Sequence, residues 1–225
     1  MHRALHLIAQ TTLATAVLIA AVAIAQEGAA PAPRVGDSWK FKETDLLTKN
    51  EVQRYTEKLH AVGQGEYWTW GDNGRTRWWW RHDAAKATRL QMFEHAADAP
   101  EQRGKIIGTA DGGFAKRWPL KVGESWDCGE DTTWPNGWRV KYELKCSVDA
   151  QERVETVAGS FDTFRIEAKG YLRNETNNFN GRHERSVWYA PLARCDVKRE
   201  YRTWGNRGQL TRVEGHELIE FKTGE

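Results

Sequence analysis

The sequence predicts an all-β protein: an antiparallel meander of two duplicated β-units that form one curved sheet, a half-barrel or a sandwich. Three observations carry this. Apolar and polar residues alternate with a period of two along much of the chain, as half-buried strands require. Turn residues interrupt the alternation at short intervals. Asn73-Gly74 and Asn136-Gly137 are the strongest hairpin signals, because both central positions of a type I′ turn need positive φ. Finally, Arg34-Val35-Gly36-Asp37-Ser38-Trp39 returns as Lys121-Val122-Gly123-Glu124-Ser125-Trp126, 87 positions later.

Taken from the start, residues 1–25 read as a signal peptide. His2 and Arg3 give a basic start, and Leu13 to Ala25 form an apolar run. Ala23-Ile24-Ala25 supplies the small side chains that signal peptidase accepts, so cleavage is expected after Ala25. The run is short of the roughly 20 residues that a spanning helix needs. No cysteine stands at the cleavage point, which argues against a lipoprotein. Gln26 to Pro33, rich in Ala and Pro, reads as a disordered lead-in. The mature chain of 200 residues has no further segment apolar enough to span a membrane. Without Arg3 it carries 32 basic and 31 acidic side chains, interleaved, which excludes the clustered basic face of a nucleic-acid binder.

The first β-unit is expected over about 34–120 and the second over 121–225. The same offset aligns Glu43 with Glu130, Tyr55 with Tyr142, Lys58 with Lys145, Gln64 with Gln151 and Thr69 with Thr156. Each half alone would be marginal, so the two are expected to share one core. The Val-Gly-x-Ser-Trp motif itself reads as a turn that starts a strand.

Within the first unit, Thr48-Lys49-Asn50 and Gly63-Gln64-Gly65 read as turns. Glu66 to Arg81 reads as a tryptophan hairpin. With Asn73-Gly74 as a two-residue turn, Trp70 faces Arg77, Trp68 faces Trp79 and Glu66 faces Arg81, while Thr69 faces Trp78 and Tyr67 faces Trp80. Tyr67, Trp78 and Trp80 are then core. Trp68, Trp70 and Trp79, with Arg75, Arg77 and Arg81, line a surface or groove and are the candidate ligand-binding residues. Such a face can stack on sugar rings, hold a lipid head or meet a protein; it can equally pack under the rest of the molecule with its Arg stems reaching out. Twelve tryptophans are also a way for a polar chain to build its core. Ala84 to His95 is the best helix candidate, and Glu94 to Gly113 reads as the connection between halves.

In the second unit, Cys128 and Cys146 flank Trp134-Pro135-Asn136-Gly137-Trp138. A three-residue loop at 135–137 sets them on one face, one step from direct opposition, and an oxidising compartment permits the disulfide. Cys195 is left over and reads as a buried bystander. Phe164, Ile166 and Ala168 alternate with charged residues as a half-buried strand should. Asn177 to Gly181 and Gly205 to Gly208 punctuate this half. Tyr201-x-Thr203-Trp204-Gly205 echoes Tyr67-x-Thr69-Trp70-Gly71 and predicts a second hairpin of the same kind. Val213, Ile219 and Phe221 fall on one parity of a long last strand.

No chemistry-bearing motif stands out. The mature histidines (His60, His82, His95, His183, His216) lack zinc-type spacing, and there is no G-x-S-x-G, P-loop or C-x-x-C. No catalytic residue, metal or cofactor is assigned. Carboxylates are plentiful, so a glycosidase-like pair stays open.

The second half resembles a large group of uncharacterised bacterial exported proteins. The motifs are Trp118-Pro-Leu-Lys-Val-Gly-Glu-Ser-Trp126, Val157-Ala-Gly-Ser-Phe-Asp-Thr-Phe-Arg-Ile-Glu167 and Val187-Trp-Tyr-Ala-Pro191, followed by Val197-Lys-Arg-Glu200. Val157 stands where the group usually has Pro, and Leu192-Ala-Arg-Cys195 replaces its usual glycine turn. The resemblance implies an antiparallel β architecture and an envelope location, and it carries no activity. Three expectations follow: a non-enzymatic periplasmic binding protein for an envelope glycan, lipid or protein; a hydrolase of an envelope polymer; or an assembly partner. A deep apolar cavity would favour lipid, and a flat row of exposed Trp would favour glycan.

Overall fold

The computed structural model describes residues 28–95, 103–111, 114, 116–134 and 136–224. The expected signal peptide and its cleavage site lie outside these residues. Among them, thirteen strands follow in order: β1 (Ser38–Asp45), β2 (Glu51–Gly63), β3 (Glu66–Asp72), β4 (Arg77–Asp83), β5 (Thr88–His95), β6 (Arg103–Asp111), β7 (Ser125–Asp127), β8 (Glu130–Thr133), β9 (Arg139–Thr156), β10 (Gly159–Asn174), β11 (Phe179–Ala190), β12 (Cys195–Trp204) and β13 (Leu210–Lys222).

Sequence neighbours pair antiparallel, and the last strand returns to the first, with Phe41 opposite Leu218. β7 and β8 lie end to end along one edge of β9, so they share one place in a closed barrel of twelve strands. The sheet is therefore all-β and antiparallel, as expected, but its curvature runs to closure rather than stopping at a half-barrel. Closure on the β6 side runs through the short β8, which pairs with β6 at Thr109 to Asp111, and β9 beyond Val148 has only β10 beside it.

The period-two reading holds where strands are regular. Phe164, Ile166 and Ala168 are buried on the inner face of β10. It fails on β13, where a bulge opposite Lys40 and Phe41 shifts the parity. Val213 pairs with Arg202 on the outer face, whereas Phe221, opposite Trp39, turns inward. Ala84 to His95 is not a helix: Ala87 takes positive φ in a turn and Thr88 starts β5. The connection between halves also contains a strand, β6.

The two Val-Gly-x-Ser-Trp segments make the same turn. Asp37 N donates to Arg34 O at 2.9 Å and Glu124 N to Lys121 O at 3.1 Å. Gly36 and Gly123 have φ of 95° and 91°, a region closed to most side chains. Cys128 and Cys146 form the disulfide, with Cα atoms 5.8 Å apart. Trp134 and Trp138 close the three-residue loop by a 2.7 Å bond, and Cys128 N donates to Leu144 O at 3.0 Å. Cys146 thus sits one step diagonally from Cys128, as the loop length predicts.

One end of the barrel is closed. Residues 116–120, ahead of β7, cross it, held by Lys116 N to Lys86 O at 3.3 Å and by Leu120, which exchanges bonds with Gly28 at 2.9 and 2.7 Å. Leu120 and Trp118 pack on the inner face of β9 to β11 with Val148, Phe164 and Tyr189. Beside them Trp39, Phe41, Leu59, Val197 and Leu218 form a second apolar cluster. The apolar mass of the protein is therefore gathered at one end and along one wall.

Candidate functional site

The tryptophan hairpin pairs two residues out of step with the two-residue turn. Trp70 faces Trp79, Trp68 faces Arg81 and Glu66 faces Asp83. Asn73 to Thr76 form a longer loop, in which the Asn73 side chain accepts from the backbone N–H groups of Arg75 and Thr76 at 3.0 and 2.8 Å. This Asx geometry outcompetes the type I′ turn. A slip of two residues leaves every side chain on its expected face. Tyr67, Trp78 and Trp80 point into the barrel, and Trp68, Trp70 and Trp79 point outward.

The outer face is more covered than a platform. Trp79 is only 2% exposed, with the His60 ring edge-on at 5.1 Å. Lys58 lies over Trp70 at 5.1 Å and Phe93 lies 5.3 Å from Trp68. Arg77 pairs with Asp72 at 2.7 Å and Arg81 with Glu66 at 3.2 Å, while Arg75 stands exposed in the loop. The six candidate residues thus share one region without forming one open surface. A shallow groove of about 300 Å³ beside Trp70 is edged by Lys40, Arg54, Lys58 and Asp72. A second depression, about 630 Å³, follows the break between β7 and β8 and is rimmed by Asp131, Lys141 and Lys169.

The inner face carries the denser chemistry. Tyr67 stacks on His82 at 4.4 Å, Arg89 lies over Trp80 at 4.6 Å, and Arg89 pairs with Glu57 at 3.0 Å. Trp78 fits because Gly71 faces it across the hairpin: a Cβ at Gly71 would stand 2.2 Å from the indole. On the opposite wall Arg185 lies over Tyr142 at 4.4 Å, pairs with Glu130 at 3.4 Å and donates through Nε to His183 Nε2 at 3.0 Å. His183 Nδ1 must then carry the proton it shares with Thr203 Oγ1 at 2.9 Å. Between these walls Arg199 donates to the Tyr55 hydroxyl at 3.3 Å, and Tyr55 meets His216 Nδ1 at 3.1 Å.

These groups are enclosed by strands, yet Arg185, Arg199, Tyr201 and His216 all keep partial solvent exposure. An eight-stranded barrel is just filled by its own side chains, and twelve strands enclose more room than that. Solvent thus reaches the inner face at these four residues. Burial and the neighbouring guanidinium groups push His183 and His216 down to about 3, so both are neutral at physiological pH. Burial also raises the Cys195 thiol, which makes it a poor nucleophile. Glu43, Glu214 and His216 bring donor atoms within 4.8 Å of one another. Each is engaged within the protein: Gln53 donates to Glu43 at 2.7 Å, Arg212 pairs with Glu214, and Tyr55 holds His216.

Sequence reasoning placed its candidate residues on the hairpin and did not single out the inner face. The available signal was two-sided polarity. In Lys198-Arg-Glu-Tyr-Arg202 both parities are polar, as expected of a strand with water on both faces.

The fold and site define a closed, antiparallel, one-end-stoppered barrel with a polar–aromatic lumen. Solved bacterial structures share this architecture. A Bacteroides fragilis protein of YmcC-like fold, taken to be exported, superposes with a TM-score of 0.55 at 11% identity, covering 88% of this chain and 100% of that one. A Parabacteroides distasonis protein taken to be a lipoprotein gives 0.53 at 12% identity, again covering 88% and 100%. YmcC of Escherichia coli, a hypothetical lipoprotein, gives 0.44 at 9% identity over 84% of this chain and 85% of that one. No family model matches the chain, and no curated protein matches it by sequence.

Proposed function

We propose that the protein is an exported, non-enzymatic binding protein of the bacterial envelope that holds a lipid-like amphiphile in its barrel. The observation that carries this is the inner face of the barrel, lined jointly by aromatic rings and arginines and partly reached by solvent. Small-molecule sites are concave, mostly apolar and marked by a few convergent polar groups. The outer face fits a flat sugar platform poorly, because Trp79 is buried and Trp68 and Trp70 are only partly exposed, each in contact with a neighbouring side chain. The leader-like start and the two structural neighbours described as exported or lipoprotein support the envelope address.

Calorimetric titration with dodecanoate, alongside soluble cell-wall muropeptides, tests the reading. The expected outcome is saturable binding of one dodecanoate, weakened at least tenfold by Met92→Trp, which fills the lumen from the inner face of β5. Muropeptide binding abolished by Trp70→Ala, with no dodecanoate binding, would move the site to the outer face and overturn the proposal.

A further inference from the structure

Arg199 is an enclosed cation that the fold leaves without a counter-ion. It stands on the inner face of β12, opposite Val187 on one side and His216 on the other. Its guanidinium lies over the Phe41 ring at 4.6 Å, and Nη2 reaches the Tyr55 hydroxyl at 3.3 Å. Its Nε is shielded from solvent and has no hydrogen-bond partner, and no carboxylate among the described residues lies within ion-pair distance of the group.

The surrounding acids are committed elsewhere. Glu57 holds Arg89 at 3.0 Å, Asp196 holds Lys116 at 3.0 Å, Glu130 holds Arg185 at 3.4 Å and Glu214 holds Arg212. Glu43 takes the Gln53 amide and is separated from Arg199 by β13, from which the neutral His216 projects. The Tyr55 hydroxyl is engaged on both sides, accepting from Arg199 and sharing a hydrogen bond with His216 Nδ1. Tyr201, two residues along the same face of β12, is partly exposed, with its ring 5.4 Å from that of His216.

An enclosed guanidinium is strongly disfavoured unless an anion pairs with it. Its planar fork binds a carboxylate or phosphate through two parallel bonds. We propose that Arg199, with the Tyr201 hydroxyl as second donor, is an oxyanion subsite in the lumen. It takes the carboxylate or phosphate head of a ligand whose chain lies against Trp78 and Met92. This rests on the reading of the barrel as a container, and it adds the head-group chemistry.

The test compares dodecanoate, dodecyl phosphate, dodecanol and inorganic phosphate on the full mature chain. Wild type should favour the two anionic amphiphiles over dodecanol by tenfold or more. Arg199→Met, of similar length and uncharged, should level the three while leaving dodecanol within threefold. Tyr201→Phe, which keeps the charge, should weaken only the anionic pair, by several-fold, and this arm decides the matter if Arg199→Met does not fold. Competition by inorganic phosphate marks a site for the free anion; its absence marks one that needs the chain. Equal affinity of wild type for dodecanol and dodecanoate would overturn the subsite and leave the container intact. Binding of phosphate through Arg199 with no dodecyl compound bound would keep the subsite and overturn the container. No binding of any of the four would overturn both.

Discussion

At the scale of single residues, the lumen histidines set how the protein answers to acid. His183 and His216 are held down to about 3, and His82 well below its ordinary value, in each case first by burial and then by nearby arginines. In the unfolded chain each returns to about 6.5. Between these limits the unfolded state binds more protons than the folded one. Stability is therefore complete above about pH 6.5 and falls as pH drops toward 3. Each histidine can contribute a slope of up to about 1.4 kcal/mol per pH unit in that window. Urea midpoints measured at pH 8, 6.5, 5.5 and 5 should decline below 6.5, before the carboxylates titrate. A flat profile down to pH 5 would show that these side chains are hydrated and titrate normally. None of this was legible in the sequence. The histidines are scattered there, and only the register, which sets His183 beside Arg185 and Thr203, shows what surrounds them.

At the scale of elements, legibility followed turn chemistry. The loop 135–137 was read correctly from Asn136-Gly137, and with it the diagonal placement of Cys128 and Cys146. The loop after β3 was misread, because Asn73 satisfies its own turn through the side chain rather than through a type I′ backbone. Face assignment survived because the slip was even. The last strand shows the opposite case: a single bulge, invisible in the residues, moved Phe221 to the inner face. The disulfide closes a loop of 18 residues between two fully buried cysteines. A bridge of that span contributes about 3 kcal/mol by chain-entropy arguments. For a chain of this size that corresponds to about 6–12 °C in Tm. Melts of the native protein and of the Cys128→Ala/Cys146→Ala double variant should differ by about that amount, and coincident curves would show the bridge to be idle.

At the scale of the whole molecule, what the sequence hid was closure. Alternation and turns describe neighbours along the chain, whereas a barrel is made by its first and last strands, and nothing local in Ser38–Asp45 or Leu210–Lys222 announces that they meet. Asp37 is where the closed structure is clamped. It is 1% exposed and accepts from Arg194 Nη1 at 2.8 and 3.1 Å, from Gly224 N at 2.7 Å and from Arg34 N at 2.9 Å. One carboxylate thus ties the entry to β1, the turn between β11 and β12 and the segment after β13. Asp37→Ala would leave Arg194, itself mostly buried, without its partner, and the loss should be about 3 kcal/mol or more. Arg194→Met would leave the still more deeply buried Asp37 carboxylate with only its two backbone donors and should cost about as much. A double-mutant cycle across the pair should return a coupling of about 1.5–3 kcal/mol. Because the clamp joins the first strand to the last, amide exchange in Asp37→Ala should rise first in β1 and β13, with β9 and β10 still protected. Uniform loss of protection, or additivity within about 0.5 kcal/mol, would show that the ends are held by their strand pairing alone.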